Sequence, residues 1–320
     1  MRAAPAAALA ALLIGAGALP LLVGDYRTFQ LTLALIYAIA ILGLNILTGH
    51  NGQVSLGHGA FYALGAYTAA ILITQAEIAY WWTLPIAGAV GFCAGFLFGF
   101  PALRLRGLYL ALATFALAVA TPQILKSGHL AAWTGGVQGI VILKPDPPAS
   151  LPLSPDQWLY YLTVAVFVLL SLAAWNLLRG RSGRAINAIR DNPIAAEAMG
   201  IDQALYKTLT FGVSAGYTSI AGALGAIVVQ FVAPDSFTVF LSITLLVGVV
   251  VGGLASIPGA IFGGLFVQFV PNLAEQISKA APWAIYGAFL IAFMYVMPYG
   301  VWGLVRSLYQ RLRRRSASPG

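Results

Sequence analysis

Residues 30–48, QLTLALIYAIAILGLNILT, hold no charged side chain and no proline. At about 1.5 Å of rise per residue, a helix over this run is about 28 Å long, close to the ~30 Å hydrocarbon core of a bilayer. A single such run could be a buried helix of a soluble protein. Here it has companions at 6–24, 56–75, 82–101, 107–125, 157–178, 207–232, 239–255, 258–277 and 283–305, so about ten spans are expected. Composition agrees: 60% of the 320 residues are hydrophobic and only 8% are charged, against about 25% charged in soluble domains. So little charge cannot cover a soluble surface. The sequence predicts an all-α, polytopic transmembrane helical bundle, with residues 1–320 forming one domain.

The arginines orient it. Arg179, Arg181, Arg184 and Arg190 share one interior loop, and Arg311, Arg313, Arg314 and Arg315 cluster near the C-terminus. Basic loops stay on the cytoplasmic side. With 179–206 placed inside, Arg2, Arg104, Arg106 and both termini also fall inside. Asp25, Glu77, the loop 126–156 and Asp235 fall outside, together with Arg27, Lys126, Lys144 and Lys279. The tail 306–320 is read as a solvated, orientation-setting segment rather than a nucleic-acid binder, since no soluble domain presents it. Residues 1–24 are read as a retained span rather than a signal peptide, because Arg2 is a thin basic region and no cleavage site precedes a soluble domain. The lone cysteine, Cys93, excludes a disulfide framework.

Glycine occurs 35 times, much of it inside spans, as at Gly88, Gly91, Gly95 and Gly99. Small residues at this spacing let membrane helices approach closely. The exception is the polar stretch Gly49-His50-Asn51-Gly52-Gln53-Val54-Ser55. It must turn in water or break a helix inside a protein-lined cavity. Gly52, Ser55, Leu56 and Phe61 recur at a fixed offset as Gly253, Ser256, Ile257 and Phe262, a match close to chance in so glycine-rich a chain.

The acidic residues bear on the energy source. Asp25, Glu77, Asp146, Asp156, Asp191, Glu197, Asp202, Asp235 and Glu275 all fall in loops or at span ends. Proton-driven carriers generally need an ionisable group within the membrane, which disfavours that reading. Sodium coupling through carbonyls and hydroxyls stays open. The chain also lacks the G-x-x-x-x-G-K-[ST] loop that cradles nucleotide phosphates, so an ATP motor would be a separate protein.

The loop 179–206 suits contact with such a motor. Asn192 can cap a short helix that starts at Pro193, and Gly200 can stop it. Upstream, Ala185, Ile186 and Ile189 share a face that excludes Arg184 and Arg190. A helix lying on the bilayer surface explains these features equally well.

Residues 183–201 of this loop (GRAINAIRDNPIAAEAMGI) resemble the cytoplasmic coupling loop of LivM-type permeases, membrane subunits of branched-chain amino acid ABC importers. The resemblance continues in order from about residue 40 to 275. Leu44–Gly49 and Gly52–Phe61 are similar to the family's N-L-L-x-G-x-x-G-Q-x-S-L-G-x-A-x-F stretch. Arg104–Tyr109 is similar to R-L-R-G-x-Y/F, and Thr134-Gly135-Gly136 to an external T-G-G segment. Pro234–Phe237 and Val250–Ser256 are similar to S-P-x-S-F and V-x-G-G-x-G-S. Departures are Asn51, His50 and His58, and Ala255 in place of a glycine.

The resemblance implies a transport subunit without catalytic, cofactor or metal residues. It implies a second homologous permease, two ATP-binding subunits, a periplasmic substrate-binding protein and a bacterial inner-membrane location in contact with lipid. The ATPase-coupling residues it implies are Arg184, Arg190, Asp191, Asn192, Pro193, Ala195, Ala196, Glu197, Ala198 and Gly200, and the loop 126–156, with Trp133 and Thr134, is the expected binding-protein dock. Candidate pathway residues, polar groups in or near spans, are Asn45, Gln53, Ser55 and His58, with helix-to-helix hydrogen bonding as the alternative for each. The two histidines are expected to be satisfied by backbone carbonyls. Rival readings are the same architecture carrying urea, amides or aromatic acids, and a stand-alone secondary carrier. A membrane-embedded enzyme fits worst, because His50, His58 and His129 are scattered.

Overall fold

A computed structural model of the chain describes residues 17, 19–102, 105, 107–148, 152–277, 279 and 281–316. Residues 6–16 and 18 of the expected span 6–24 lie outside these residues, as do Arg104 and Arg106. Among the described residues the regular structure is helical apart from one two-stranded contact. Helix α1 (Asp25–Asn45) runs into a π-helical turn (Ile46–His50), followed by α2 (His58–Thr74), α3 (Tyr80–Ala102), α4 (Leu108–Leu125) and the single turn α5 (Ala131–Thr134). Then come α6 (Pro155–Arg179), α7 (Arg181–Asp191), α8 (Pro193–Ala198), α9 (Gln203–Val229), α10 (Val239–Gly252), α11 (Gly259–Ile277), α12 (Pro282–Val296) and α13 (Gly300–Ser316). Strands β1 (Ile140–Val141) and β2 (Phe231–Val232) pair antiparallel, Ile140 opposite Val232.

The expected count of ten spans is not reached among the described residues. Six stretches among the described residues are long and apolar enough to cross a membrane: Asp25–His50, Tyr80–Pro101, Leu108–Leu125, Pro155–Arg179, Gln203–Val229 and Ala284–Ser307. The expected spans 56–75 and 239–255 form helices of 17 and 14 residues, about 26 and 21 Å long and short of the ~30 Å core. Their missing turns are the irregular segments 51–57 and 253–258, tolerated because surrounding protein satisfies the backbone there. The last expected span, 283–305, is interrupted at Met297–Tyr299. Pro298 has no N–H to continue the ladder. Past the break the chain is helical again, and the basic segment read as a solvated tail continues α13 as far as Ser316.

The core is built on α1 and α9. From Ala38 to Asn45 every residue of α1 is buried, as expected of a helix surrounded by others. The glycine stripe of α3 lies against α9: a Cβ at Gly88 would meet Ile220, at Gly91 Ser219, at Gly95 Ala215, and at Gly99 Phe211. Helices here are held by close backbone approach, as membrane packing requires. On the other side of α1, α11 packs through Gly264 against Ala34 and Ala38.

The two ends of the bundle are chemically distinct. At one end Ser154 donates to Asp25, Lys126 pairs with Asp235, Lys144 pairs with Asp156, and Gln75 donates to the carbonyls of Ala132 and Trp133. At the other end lie the segment 49–57, the loop 180–203 and the break 253–256. Asp25, Lys126, Lys144, Asp156 and Asp235 thus share one end, and the loop 180–203 lies at the other.

The four-residue echo falls on the two helix breaks, both at this second end. Ser55 accepts from Gly57 N–H at 3.3 Å, and Ser256 accepts from Gly259 N–H at 3.1 Å, each at the start of the next helix. Asn45 joins the breaks. It donates to the carbonyls of Gly253 (3.2 Å) and Ser256 (2.9 Å), and it accepts from Ala255 N–H at 2.8 Å. Ala255 stands at φ +56°, a conformation that costs a side-chain-bearing residue about 1–2 kcal/mol. Ala255→Gly removes that cost but gives back about 0.4–1 kcal/mol of unfolded-state entropy. A net stabilisation of up to about 1.6 kcal/mol is therefore expected, read as a higher melting temperature in detergent.

Candidate functional site

The loop 180–203 and the polar segment 49–57 face each other around a cavity of about 290 Å³. Asn51, Gln53, Arg190, Glu197, Gln203 and Lys207 supply its polar lining. The site thus unites two stretches about 140 residues apart in the chain.

Helix α8 forms for the reasons its sequence suggests. Asn192 Oδ1 accepts from Ala195 N–H at 3.1 Å, and Pro193 occupies the first turn, where no N–H is needed. At the far end Gly200 adopts φ +81°, its N–H donates to Glu197 C=O at 2.9 Å, and Ile201 N–H donates to Ala196 C=O at 3.0 Å. These paired bonds make a Schellman cap, which needs a left-handed residue at Gly200. Ala196 is buried, whereas Ile194 and Met199 are each 82% exposed. These large apolar groups, on the short helix and its cap, are left uncovered by the described residues.

Helix α7 has the opposite character. Gly183, Ala185, Ile186 and Ile189 are buried against the bundle, and Arg184 points outward. Arg190 grips Asp191 through Nε at 3.0 Å and Nη2 at 2.9 Å, and its Nη1 donates to Gly49 C=O at 2.9 Å. That carbonyl belongs to the C-terminal turn of the helix begun at Asp25, where partial negative charge favours a cation. His50 Nδ1 lies 3.2 Å from Asn187 Oδ1.

A second set of contacts runs through the start of α9. Gln203 donates to Glu197 (2.9 Å) and to Pro193 C=O (2.8 Å), and Lys207 donates to Gln203 (3.1 Å). Gln53 donates to Lys207 C=O (3.3 Å) and to Asn51 (3.1 Å), and Asn51 donates to Thr210 (3.0 Å). Gln203, Lys207 and Thr210 were not foreseen. Their signal is polar residues at i, i+4 and i+7 along one face at the start of the helix.

Of the four pathway candidates, Gln53 alone reaches the cavity. Asn45, Ser55 and His58 are buried and spend their polar groups on the protein. Ser214 donates to Gly43 C=O at 2.6 Å, so its oxygen accepts from His58 Nε2–H at 2.7 Å. This leaves Nδ1 to accept from Ser55 at 3.0 Å. Two hydroxyls therefore satisfy His58, rather than the backbone carbonyls expected, and fix it as the neutral Nε2 tautomer. His50 pairs with a side-chain amide. At the opposite end, the loop 126–148 exposes Trp133, Val137 and Leu143 above the β1–β2 contact.

Comparison with known proteins bears on what this arrangement serves. Residues 26–298 match the family model described as branched-chain amino acid transport system / permease component. The chain is 34% identical to the high-affinity branched-chain amino acid transport system permease protein LivM of Escherichia coli, covering 93% of this chain and 75% of LivM. It is 25% identical to BraD of Pseudomonas aeruginosa (74% of this chain, 81% of BraD) and 25% identical to LivH of Escherichia coli (85% and 92%). No solved structure matches it significantly. The match over most of its length and its long apolar helices make this a multi-pass inner-membrane protein, a transport subunit rather than an enzyme, and the chain belongs to the branched-chain amino acid transport system / permease component family.

Proposed function

We propose that the chain builds one half of the substrate pathway of an ATP-driven importer for branched-chain amino acids, with a second, related permease as the other half. Escherichia coli has both LivM and LivH, two distinct permeases that each resemble this chain, which supports pairing with a homologue. ATP-binding subunits press on the loop 179–206 from the cytoplasm, where both termini also lie. A periplasmic binding protein docks at the opposite end on the loop 126–156. The observation that carries this reading is α8: a short, doubly capped helix that presents bare Ile194 and Met199 and is wired by hydrogen bonds to a broken span. Ala195, Ala198 and Gly200 lie on its partner-facing side, Arg184 faces outward from α7 beside it, and Asn192, Pro193 and Ala196 hold its shape. Gln53 is the pathway candidate with access to open space. Asn45, Ser55 and His58 hold the helices around it.

Uptake into proteoliposomes carrying the complex purified from its host tests this. Labelled leucine is expected to accumulate only with ATP on the side of the loop 179–206, and to keep accumulating when ion gradients are collapsed. Uptake that follows an ion gradient at constant ATP would favour a secondary carrier. Within the same assay Gly200→Pro is expected to retain ATP hydrolysis and to lose uptake on the order of tenfold, the range of a typical coupling free energy. Proline cannot adopt φ +81° and removes the N–H that caps α8. Unchanged uptake per ATP in this variant would count against the role given to α8.

A further inference from the structure

We propose that Arg190 is a positioning residue that transmits movement of the coupling loop into the membrane: it faces the permease's own broken helix, not the ATPase, and locks α7 to the π-helical turn 46–50. The proposal rests on the importer reading above and adds to it the route by which force enters the bundle.

Three independent contacts define the joint. Arg190 Nη1 donates to Gly49 C=O at 2.9 Å. The Arg190 stem lies over Gly52, where a Cβ would come within 3.0 Å of Arg190 Cγ, and Gly52 stands at φ +76°. His50 Nδ1 meets Asn187 Oδ1 at 3.2 Å, one turn back along α7. The guanidinium fork on Asp191 pre-orients the side chain so that the third nitrogen can point at Gly49.

The joint has somewhere to send a displacement. Gly49 is packed against Asn45 and the backbone of Ala255, so the π turn cannot move without moving the second break. Asn45 then carries the shift to residues 253–256 through three buried hydrogen bonds. On the input side, the buried face of α7 makes it part of the bundle, while α8 projects from it. The sequence of parts is α8, α7, the turn 46–50, Asn45 and the break 253–256. π-helical turns inside long helices commonly mark functional sites, and this one sits where the chain leaves α1. The joint stays closed through the cycle, since transmission requires α7 and the turn to move together.

Two measurements on the reconstituted complex test it. The first is leucine taken up per ATP hydrolysed. Arg190→Ala is expected to lower this ratio on the order of tenfold with hydrolysis retained, and Arg190→Lys, which keeps the charge and one donor, to recover part of it. An unchanged ratio in Arg190→Ala overturns the proposal. The second measurement decides if that variant does not fold. With Cys93 replaced by serine, His50→Cys and Asn187→Cys are introduced together and oxidised, so that a disulfide stands in for the hydrogen bond. Uptake in the oxidised form is expected to equal or exceed that of the reduced form. Uptake lost on oxidation while ATP hydrolysis continues would show that the two segments must part, and overturns the proposal. Failure of the wild-type complex to couple uptake to ATP at all would instead remove the importer reading beneath it, and the transmission route with it.

Discussion

Gly65→Leu is expected to leave no stable, monodisperse protein. A Cβ at this position in α2 would collide with the carbonyl group of Ser219 in α9. The obstacle is backbone, so no rotamer change relieves it. The neighbouring contacts tighten the constraint: Ser219 Oγ donates to Phe61 C=O at 2.8 Å, and a Cβ at Gly222 would meet Tyr62 C=O. Overpacking a well-filled core costs about 1–3 kcal/mol where side chains can yield. Here two helices of the core must move apart instead, so more than about 3 kcal/mol is expected. Gly287→Leu is the control, because nothing lies within 4 Å of its Cβ direction. Replacing glycine in an open helical position gains up to about 1 kcal/mol of helix propensity. Size-exclusion profiles after graded heating in detergent would separate the two. Equal profiles would mean that α2 and α9 do not touch as described.

The second large effect is expected from Asn45→Leu. It removes three hydrogen bonds at once and strands two carbonyls and one N–H inside the protein. Each unsatisfied buried group costs about 1–3 kcal/mol. Because the three share one segment they will not add fully, and a loss of about 3–5 kcal/mol is expected. Asn45→Asp separates hydrogen-bonding direction from shape. It keeps the acceptor for Ala255 N–H but turns an oxygen toward the carbonyls of Gly253 and Ser256, so it should be no milder than leucine. A mild Asn45→Asp would show that the donor bonds to the break matter little. The same detergent melts measure both variants.

These two positions mark how far the sequence could be read. The stripe Gly88, Gly91, Gly95 and Gly99 announced a packing face by its spacing, and the structure lays that face on α9. The caps of α8 were legible because Asn192, Pro193 and Gly200 act through local backbone geometry. The clustering of arginines in the loop 179–206 and near the C-terminus was legible, whereas acids fall at both ends of the bundle. The helices at 56–75 and 239–255 are shorter than their apolar runs suggested, and the stretch 283–305 is broken at Met297–Tyr299 although long enough to cross. Hydropathy sees an apolar run, but it does not see where a buried backbone breaks and is satisfied by a distant side chain such as Asn45. The cavity was not legible either. It depends on Arg190 reaching Gly49 and on Gln53 reaching Lys207, contacts between segments about 140–150 residues apart that leave no periodic trace. His58 shows the same limit. Its isolation in the sequence left a choice between pathway and packing, and only the positions of Ser55 and Ser214 show where its nitrogens go.

In the proposed importer, α8 is the surface that an ATP-hydrolysing partner pushes. A photoreactive benzoylphenylalanine in place of Met199, irradiated in native membranes, tests this most directly. Met199 is 82% exposed and closes the helix at its cap, so the probe reports whatever covers that surface. One dominant adduct with an ATP-binding subunit is expected, with a yield that changes when the nucleotide is trapped. Adducts with lipid alone, unaffected by nucleotide, would place α8 on the bilayer surface and contradict that role.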